Sequence, residues 1–187
     1  MTAPVVELRI VDAQGFSSWI DEAVDVYAAA LRRPKVVIPS RRVSTREHLS
    51  EAGFRAVLAV QADTLVGLAY GYFDDAGQWW HDIVVQSLSA ADVVRWMSDA
   101  FQVTELHVLP AHQRQGLGTA LLTTLLSDTG RRTAVLSAFD EETPARALYR
   151  NLGAKKDTKL PASAFLEAIH QRRSFSTNES RQQIGIN

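Results

Sequence analysis

Residues Val103-Thr104-Glu105-Leu106-His107-Val108 form a largely apolar run that passes through Leu109-Pro110 into Ala111-His112-Gln113-Arg114-Gln115-Gly116-Leu117-Gly118, after which the chain is rich in leucine as far as Leu126. A protein with ten glycines in 187 residues that sets two of them one residue apart, between a strand pattern and a helix pattern, is committed to a strand, a tight turn and a helix from Gly116 to about Ser127. That arrangement aims several unpaired N–H groups at one spot, with the positive end of the helix dipole behind them. An anion fits there: glycine lets backbone approach a ligand, and Arg114 can add a charge-assisted contact.

Spacing separates the ligands such a loop can hold. A P-loop needs Gly-Lys followed by Ser or Thr, whereas Gly118 is followed by Thr119-Ala120. A dinucleotide fingerprint needs a third glycine, which is absent. A bare Gly-x-Gly often does no more than pack a helix on a strand, so the flanking residues have to decide. Twenty basic against twenty-one acidic residues leave a net charge of -1, so an anion site here is local, with no general attraction to nucleic acid or an anionic membrane. The absence of cysteine removes disulfides, thiolate metal sites and a cysteine nucleophile, which suits a reducing, cytoplasmic setting. No basic leader precedes an apolar stretch at the N-terminus, and no run of apolar residues is long enough to span a bilayer.

Elsewhere the periodicity outlines one domain over 1–173 and a polar tail over 174–187. Val6, Leu8 and Ile10 alternate as the buried face of a strand; Phe16, Ile20, Ala23, Val24, Tyr27 and Leu31 recur at helical spacing; and Ser44 with Glu47 predicts a second helix to about Ala52, stopped by Gly53. Phe54 to Gln61 and Leu65 to Phe73 read as a hairpin in which Gly67 and Gly71 mark either a bulge or close approach of another backbone or, the favoured reading, a simple relief of twist. Gly77-Gln78-Trp79-Trp80 reads as a loop, Ser89 to Ala100 as a helix, Thr133 to Phe139 as a buried strand, and Thr143-Pro144 as the capped start of a helix with Ala145, Leu148, Tyr149 and Leu152 on one face before Gly153. Lys155 to Leu160 can be a strand, and Ala162 to Arg173 reads as a helix with Phe165, Leu166 and Ile169 as its apolar face.

The segment Val108-x-Pro110-x-x-Gln113-x-x-Gly116-x-Gly118 resembles the acyl-CoA pyrophosphate loop of the GNAT superfamily of N-acyltransferases, and Ala145-Arg146-Ala147-Leu148-Tyr149-Arg150-Asn151-Leu152-Gly153 resembles that family's following helix. The resemblance is strongest over Val103 to Gly153. It implies an α/β (α+β) fold, a mixed, mostly antiparallel central sheet flanked by helices, whose central strands splay around the pantetheine arm. It also implies acetyl-CoA as co-substrate, held by backbone of Leu106, His107 and Val108 and by Gln113, Arg114, Gln115, Gly116, Leu117, Gly118 and Thr119.

Moving an acetyl group from a thioester to an amine requires a neutral nucleophile, a donor for the oxyanion and a proton for the departing thiolate. With no cysteine, direct attack in a ternary complex is the economical route, and it needs no metal. The resemblance makes Tyr149 the general acid, although its place on an apolar helix face also suits a core residue, and puts the oxyanion donor at a main-chain N–H near Val108. Glu105 and His107 share one face of their strand, and either can serve as base, Glu105 first. His81 and Asp82 are more distant candidates for the same role. Trp79, Trp80 and Trp96 suit either an acceptor pocket or core, core being favoured. His48 and His112 have no metal-like spacing.

Three features depart from the family pattern: Glu142 stands where an asparagine is frequent, Ala154 where an aromatic is frequent, and nothing after Lys155 reads as a closing pair of strands. The acceptor wall is then missing, unusual, or supplied by a second copy in a homodimer. The leading function is N-acetyl transfer to a small-molecule or protein amine. A non-catalytic acyl-CoA-binding module and a nucleotide-binding redox domain are the alternatives.

Overall fold

The computed structural model of the chain describes residues 5–139, 143–153, 155–160 and 164–170, the last two as backbone strands. The tail over 174–187, Glu142 and Ala154 lie outside the described residues. In chain order the elements are β1 (Glu7–Val11), α1 (Ala13–Ser17), α2 (Ile20–Ala30), α3 (Ile38–His48), β2 (Arg55–Gln61), β3 (Thr64–Asp74), α4 (Trp79–Gln86), α5 (Ala90–Asp92) running into a π turn at Val93–Met97, β4 (Ala100–Val108), α6 (Leu117–Leu126), β5 (Thr133–Phe139), α7 (Pro144–Asn151), β6 (Lys155–Leu160) and β7 (Ala164–His170). The described residues fall into two compact units, one comprising Val5–Tyr72 with Thr104–Ser127, the other Phe73–Val103 with the described residues from Asp128 to His170.

In the first unit β1 pairs antiparallel with β2, and β2 with β3. The β2–β3 hairpin turns on Ala62 and Asp63, at φ 46° and 62°, two left-handed residues that match the twist of the flanking strands. Phe16, Ile20, Val24, Phe54, Leu58 and Tyr70 lie in the core of this unit, where α1 and α2 cover the sheet. Asp12 follows the end of β1 and caps α1, its Oδ1 accepting from Gly15 N–H at 2.8 Å. The alternation in β1 is only partly realised, because Val6 is 2% exposed but Ile10 is 52% exposed on a strand at the margin of the sheet.

Helix α3 begins at Ile38, with Pro39 in its first turn, and ends at His48, earlier at both ends than the cap at Ser44 suggested. Ser44 is interior, its hydroxyl bonding back to Ser40 O at 3.3 Å.

Gly67 carries more than a relief of twist. The β2–β3 register shifts so that Ala59 faces Gly67 while Val60 faces Leu65, which leaves Val66 as an extra residue whose carbonyl accepts from Leu109 N–H at 2.9 Å. A Cβ at Gly67 would lie 3.1 Å from His107 O and 3.2 Å from Leu121 Cδ1. The absent side chain therefore lets β3 lie close against the end of β4.

In the second unit β4 pairs in parallel with β5 over Ala100–Gln102 and Thr133–Val135. Antiparallel pairs of β5 with β7 and of β7 with β6 complete the unit. The helix expected over Ala162 to Arg173 is thus strand β7, in register from Thr133↔His170 to Phe139↔Ala164. Its alanines and Glu167 favour a helix locally, but pairing with strands on both edges overrides that preference. A closing pair of strands exists within the chain itself.

Trp79, expected in a loop, begins α4, and Asp82 Oδ1 accepts from Gly77 N–H at 3.1 Å to tighten the entry. The helix expected from Ser89 to Ala100 is α5 plus the π turn, and Ala100 already belongs to β4. Trp96, Met97, Val84 and Val135 are core residues of this unit.

Substituting Gly67 by valine is expected to lower the free energy of unfolding by about 1–3 kcal/mol, the cost of forcing volume into a packed interior. Urea titration measures it, and an unchanged midpoint would refute the close approach of β3 to His107.

Candidate active site

The end of β4 is fixed to the turn that follows it. Pro110–His112 form a short 3-10 turn, Gln113 Nε2 donates back to Val108 O at 2.9 Å, and Gln115 Nε2 donates to Ala111 O at 3.2 Å. Arg114 and Gly116 both take left-handed torsions, φ 65° and 79°. A Cβ at Gly116 would meet no protein atom within 4 Å, so within the protein it is the left-handed torsion that favours glycine there.

Gly116 is the N-cap of α6, and the first intrahelical bond runs from Ala120 N to Gly116 O at 3.0 Å. The N–H groups of Leu117, Gly118 and Thr119 precede that bond and have no carbonyl partner within the helix. No side chain caps this end and no acid stands in its first turn, which leaves the positive end of the dipole uncompensated. Gln113, Arg114, Gln115, Gly116 and Thr119 are exposed and Gly118 half-buried, whereas Leu117, Leu121, Leu122 and Leu125 are buried and hold the helix. The strand leading in has Val108 buried and Leu106 half-buried.

One turn back along β4, Glu105 and His107 point to the same side. The Glu105 side chain is 8% exposed and that of His107 is 9% exposed. Glu105 Oε1 accepts from the Arg41 guanidinium and Glu105 Oε2 from His107 Nε2, so both carboxylate oxygens are engaged. Burial, and then the nearby Arg41 charge, hold His107 down at about 3, which makes it a neutral donor to Glu105 and a weak proton acceptor. Arg41 comes from α3, where Arg41, Thr45 and His48 follow one another at helical spacing on one face. Its guanidinium carbon lies 4.4 Å from the centre of the Tyr27 ring, and the Tyr27 and His107 rings meet edge to face at 5.2 Å.

These groups line a small cavity with Ala23, Val24, Leu68 and Tyr70. The Tyr70 hydroxyl, pushed up to about 12 chiefly by burial, stays protonated and lies 3.0 Å from His48 Nδ1. Sequence reasoning missed Arg41 because its partner is 64 residues away; the polar stripe through Arg41, Thr45 and His48 on a helix facing a sheet was the available signal.

In the second unit Thr143 caps α7, its hydroxyl accepting from Arg146 N–H at 3.2 Å, with Pro144 at the first helical position. Tyr149 and Arg146, not Ala145, are the buried side chains of this helix, at 8% and 6% exposure. His81 and Asp82, the more distant base candidates, serve different ends. His81 Nδ1 lies 2.7 Å from the fully buried Asp74 Oδ2, whereas Asp82 holds the turn at Gly77. The tryptophans divide too, Trp96 being core and Trp79 78% exposed. Among the described residues no group of three or more His, Asp or Glu side chains could hold a metal, and no helix is long and apolar enough to cross a membrane.

A family model described as Acetyltransferase (GNAT) family matches residues 20–154, spanning the hairpin, the glycine loop and α7. The chain belongs to the GNAT acetyltransferase family. It is 34% identical over 164 residues to a GCN5-like protein acetyltransferase of Mycobacterium tuberculosis, covering 72% of this chain and 80% of that one. Solved structures that share its fold include two acetyltransferases. The PaiA N-acetyltransferase of Thermoplasma acidophilum in complex with coenzyme A matches at TM-score 0.60 and 13% identity over 89% of this chain and 99% of that one. The ribosomal-protein-S18-alanine N-acetyltransferase of Escherichia coli matches at 0.61 and 17% over 92% and 99%. This GNAT-type acetyltransferase thus carries the family's mixed sheet together with a cluster in which the half-buried Arg41 meets the buried side chains of Glu105 and His107.

His107 gives the cluster a pH signature. Its folded value is depressed from the ordinary 6.5 to about 3, so between those values the unfolded chain binds the extra proton. The stabilisation from neutral, buried His107 is complete above about pH 6.5 and is lost as pH falls towards 3. The imidazole carbon resonance of His107 is expected to show no titration between pH 5 and 8, and a midpoint near 6.5 would contradict the burial and charge environment described.

Proposed function

We propose that this acetyltransferase takes acetyl-CoA and passes its acetyl group to a primary amine, on a small molecule or a protein, by direct attack in a ternary complex. The observation that carries the reading is the start of α6, with three partnerless amides, a left-handed Gly116 and exposed Arg114 beside them, which suits a pyrophosphate. The coenzyme A held by the Thermoplasma fold relative supports the same co-substrate. The proposed contacts are backbone of Leu106, His107 and Val108 with the coenzyme's arm, and Gln113, Arg114, Gln115, Gly116, Leu117, Gly118 and Thr119 with its phosphates.

In the transfer the amine nitrogen bonds to the acetyl carbon, the carbon–sulfur bond breaks, one amine proton leaves to a base and the thiolate takes a proton. A main-chain N–H near Val108 is the proposed donor to the oxyanion. Tyr149 is the proposed acid, a role it takes from the motif of α7. Glu105 is the proposed base. His107, with so little proton affinity, acts as the positioning residue that fixes the Glu105 carboxylate. A chain without cysteine has no thiol to carry the acetyl group between donor and acceptor.

Thiol release from acetyl-CoA with a panel of primary amines tests the reading. Tyr149→Phe is expected to lower the rate by about 10²-fold, at the lower end of general acid catalysis, while coenzyme affinity stays as in the parent protein. Tight coenzyme binding with no turnover on any amine would contradict it and favour a coenzyme-binding module.

A further inference from the structure

The Arg41 guanidinium occupies a position suited to a ligand. Glu105 is 8% exposed, and a carboxylate at that depth needs a cation, which among the described residues Arg41 supplies. Arg41 itself is not sealed in. Its side chain is 29% exposed and enters from α3 on a slim, unbranched stem, placing its charge against Glu105 and over the face of Tyr27. His107 adds no competing positive charge, because it is neutral and already donates to Glu105. The remaining wall is Ala23, Val24, Thr45, Leu68 and Tyr70, and the cavity has room for about one water molecule. A buried carboxylate whose present cation also lies over the Tyr27 ring, in so small a cavity, is complementary to an organic cation on an unbranched alkyl stem.

We propose that Arg41 is an exchangeable plug: its guanidinium stands in for the ammonium group of the acceptor, and binding of an acceptor with a primary ammonium on a slim alkyl stem swings Arg41 off Glu105. The inference rests on the acetyl-transfer reading for its meaning, and it identifies the acceptor class of that site. The exchange leaves charge balanced, since one cation replaces another beside the carboxylate. The incoming ammonium then passes one proton to Glu105, giving a neutral amine and a carboxylic acid, and the amine lone pair becomes available for attack. With Arg41 in place the site is closed, so the apparent affinity for an acceptor is reduced by the fraction of molecules in which Arg41 has moved away. Arg41 thereby excludes neutral molecules, which offer Glu105 no replacement charge.

Calorimetric binding of n-butylammonium, with n-butanol as the uncharged control, tests this on the full chain. Arg41→Gln, which keeps a stem but removes the charge, is expected to bind n-butylammonium about tenfold more tightly than the parent protein, as removal of a competing state requires, and to ignore n-butanol. Adding Glu105→Gln should abolish the gain. Methylguanidinium should compete with n-butylammonium in Arg41→Gln and slow acetyl transfer to amines. Unchanged or weaker n-butylammonium binding in a folded Arg41→Gln protein would overturn the proposal, and so would faster turnover on adding methylguanidinium, which would make Arg41 a structural partner of Glu105. If Arg41→Gln does not fold, the parent protein is read instead: millimolar n-butylammonium is expected to shift the Glu105 carboxyl carbon resonance while n-butanol leaves it in place, and no shift with the amine would overturn the proposal. Because binding is read without coenzyme, its outcome is separate from whether acetyl-CoA is turned over.

Discussion

The junction of β4 with α6 is the constraint on which the rest depends. Leu117, Leu121, Leu122 and Leu125 bury the helix, Gln113 ties the turn back to Val108 O, and the left-handed torsion of Gly116 starts the helix without a capping side chain. The consequence is electrostatic. A helix whose first amides are unclaimed and whose first turn lacks acid keeps its positive end free for a ligand. The same junction explains Gly67, since β3 must lie close to His107 O and Leu121 for the end of β4 to sit against the hairpin.

Charge is treated in opposite ways at the two functional parts of the first unit. At the loop it is left open to solvent, where an anion can neutralise it. At Glu105 it is buried and already neutralised by Arg41, with His107 closing the second oxygen. In the proposed exchange a substrate cation takes the place of Arg41 beside this carboxylate, which would tie acceptor recognition to proton removal.

The loop was legible in the sequence because its geometry is local: a strand pattern, Gly116 one residue from Gly118, and a leucine run. The cap at Thr143 with Pro144, and strand β5, were legible for the same reason. β7 was not, since Phe165, Leu166 and Ile169 satisfy a helical period as well as an extended run, and only pairing with β5 and β6 selects the strand. The start of α3 was lost because Ser44 imitates a cap inside a helix. Arg41 was hard to pick out because its partner Glu105 is 64 residues away and the polar stripe it shares with Thr45 and His48 names no partner. Glu105 and His107 were placed on one face by the period of a strand, but their burial and mutual hydrogen bond are tertiary facts.

The most direct measurement of the central claim is an amide nitrogen–proton correlation spectrum of the protein titrated with coenzyme A and, separately, with NAD. The account predicts that coenzyme A moves the Leu117, Gly118 and Thr119 amides most, together with Gly116, and that NAD leaves them in place. Perturbations centred elsewhere in the chain, or an equal response to NAD, would contradict it.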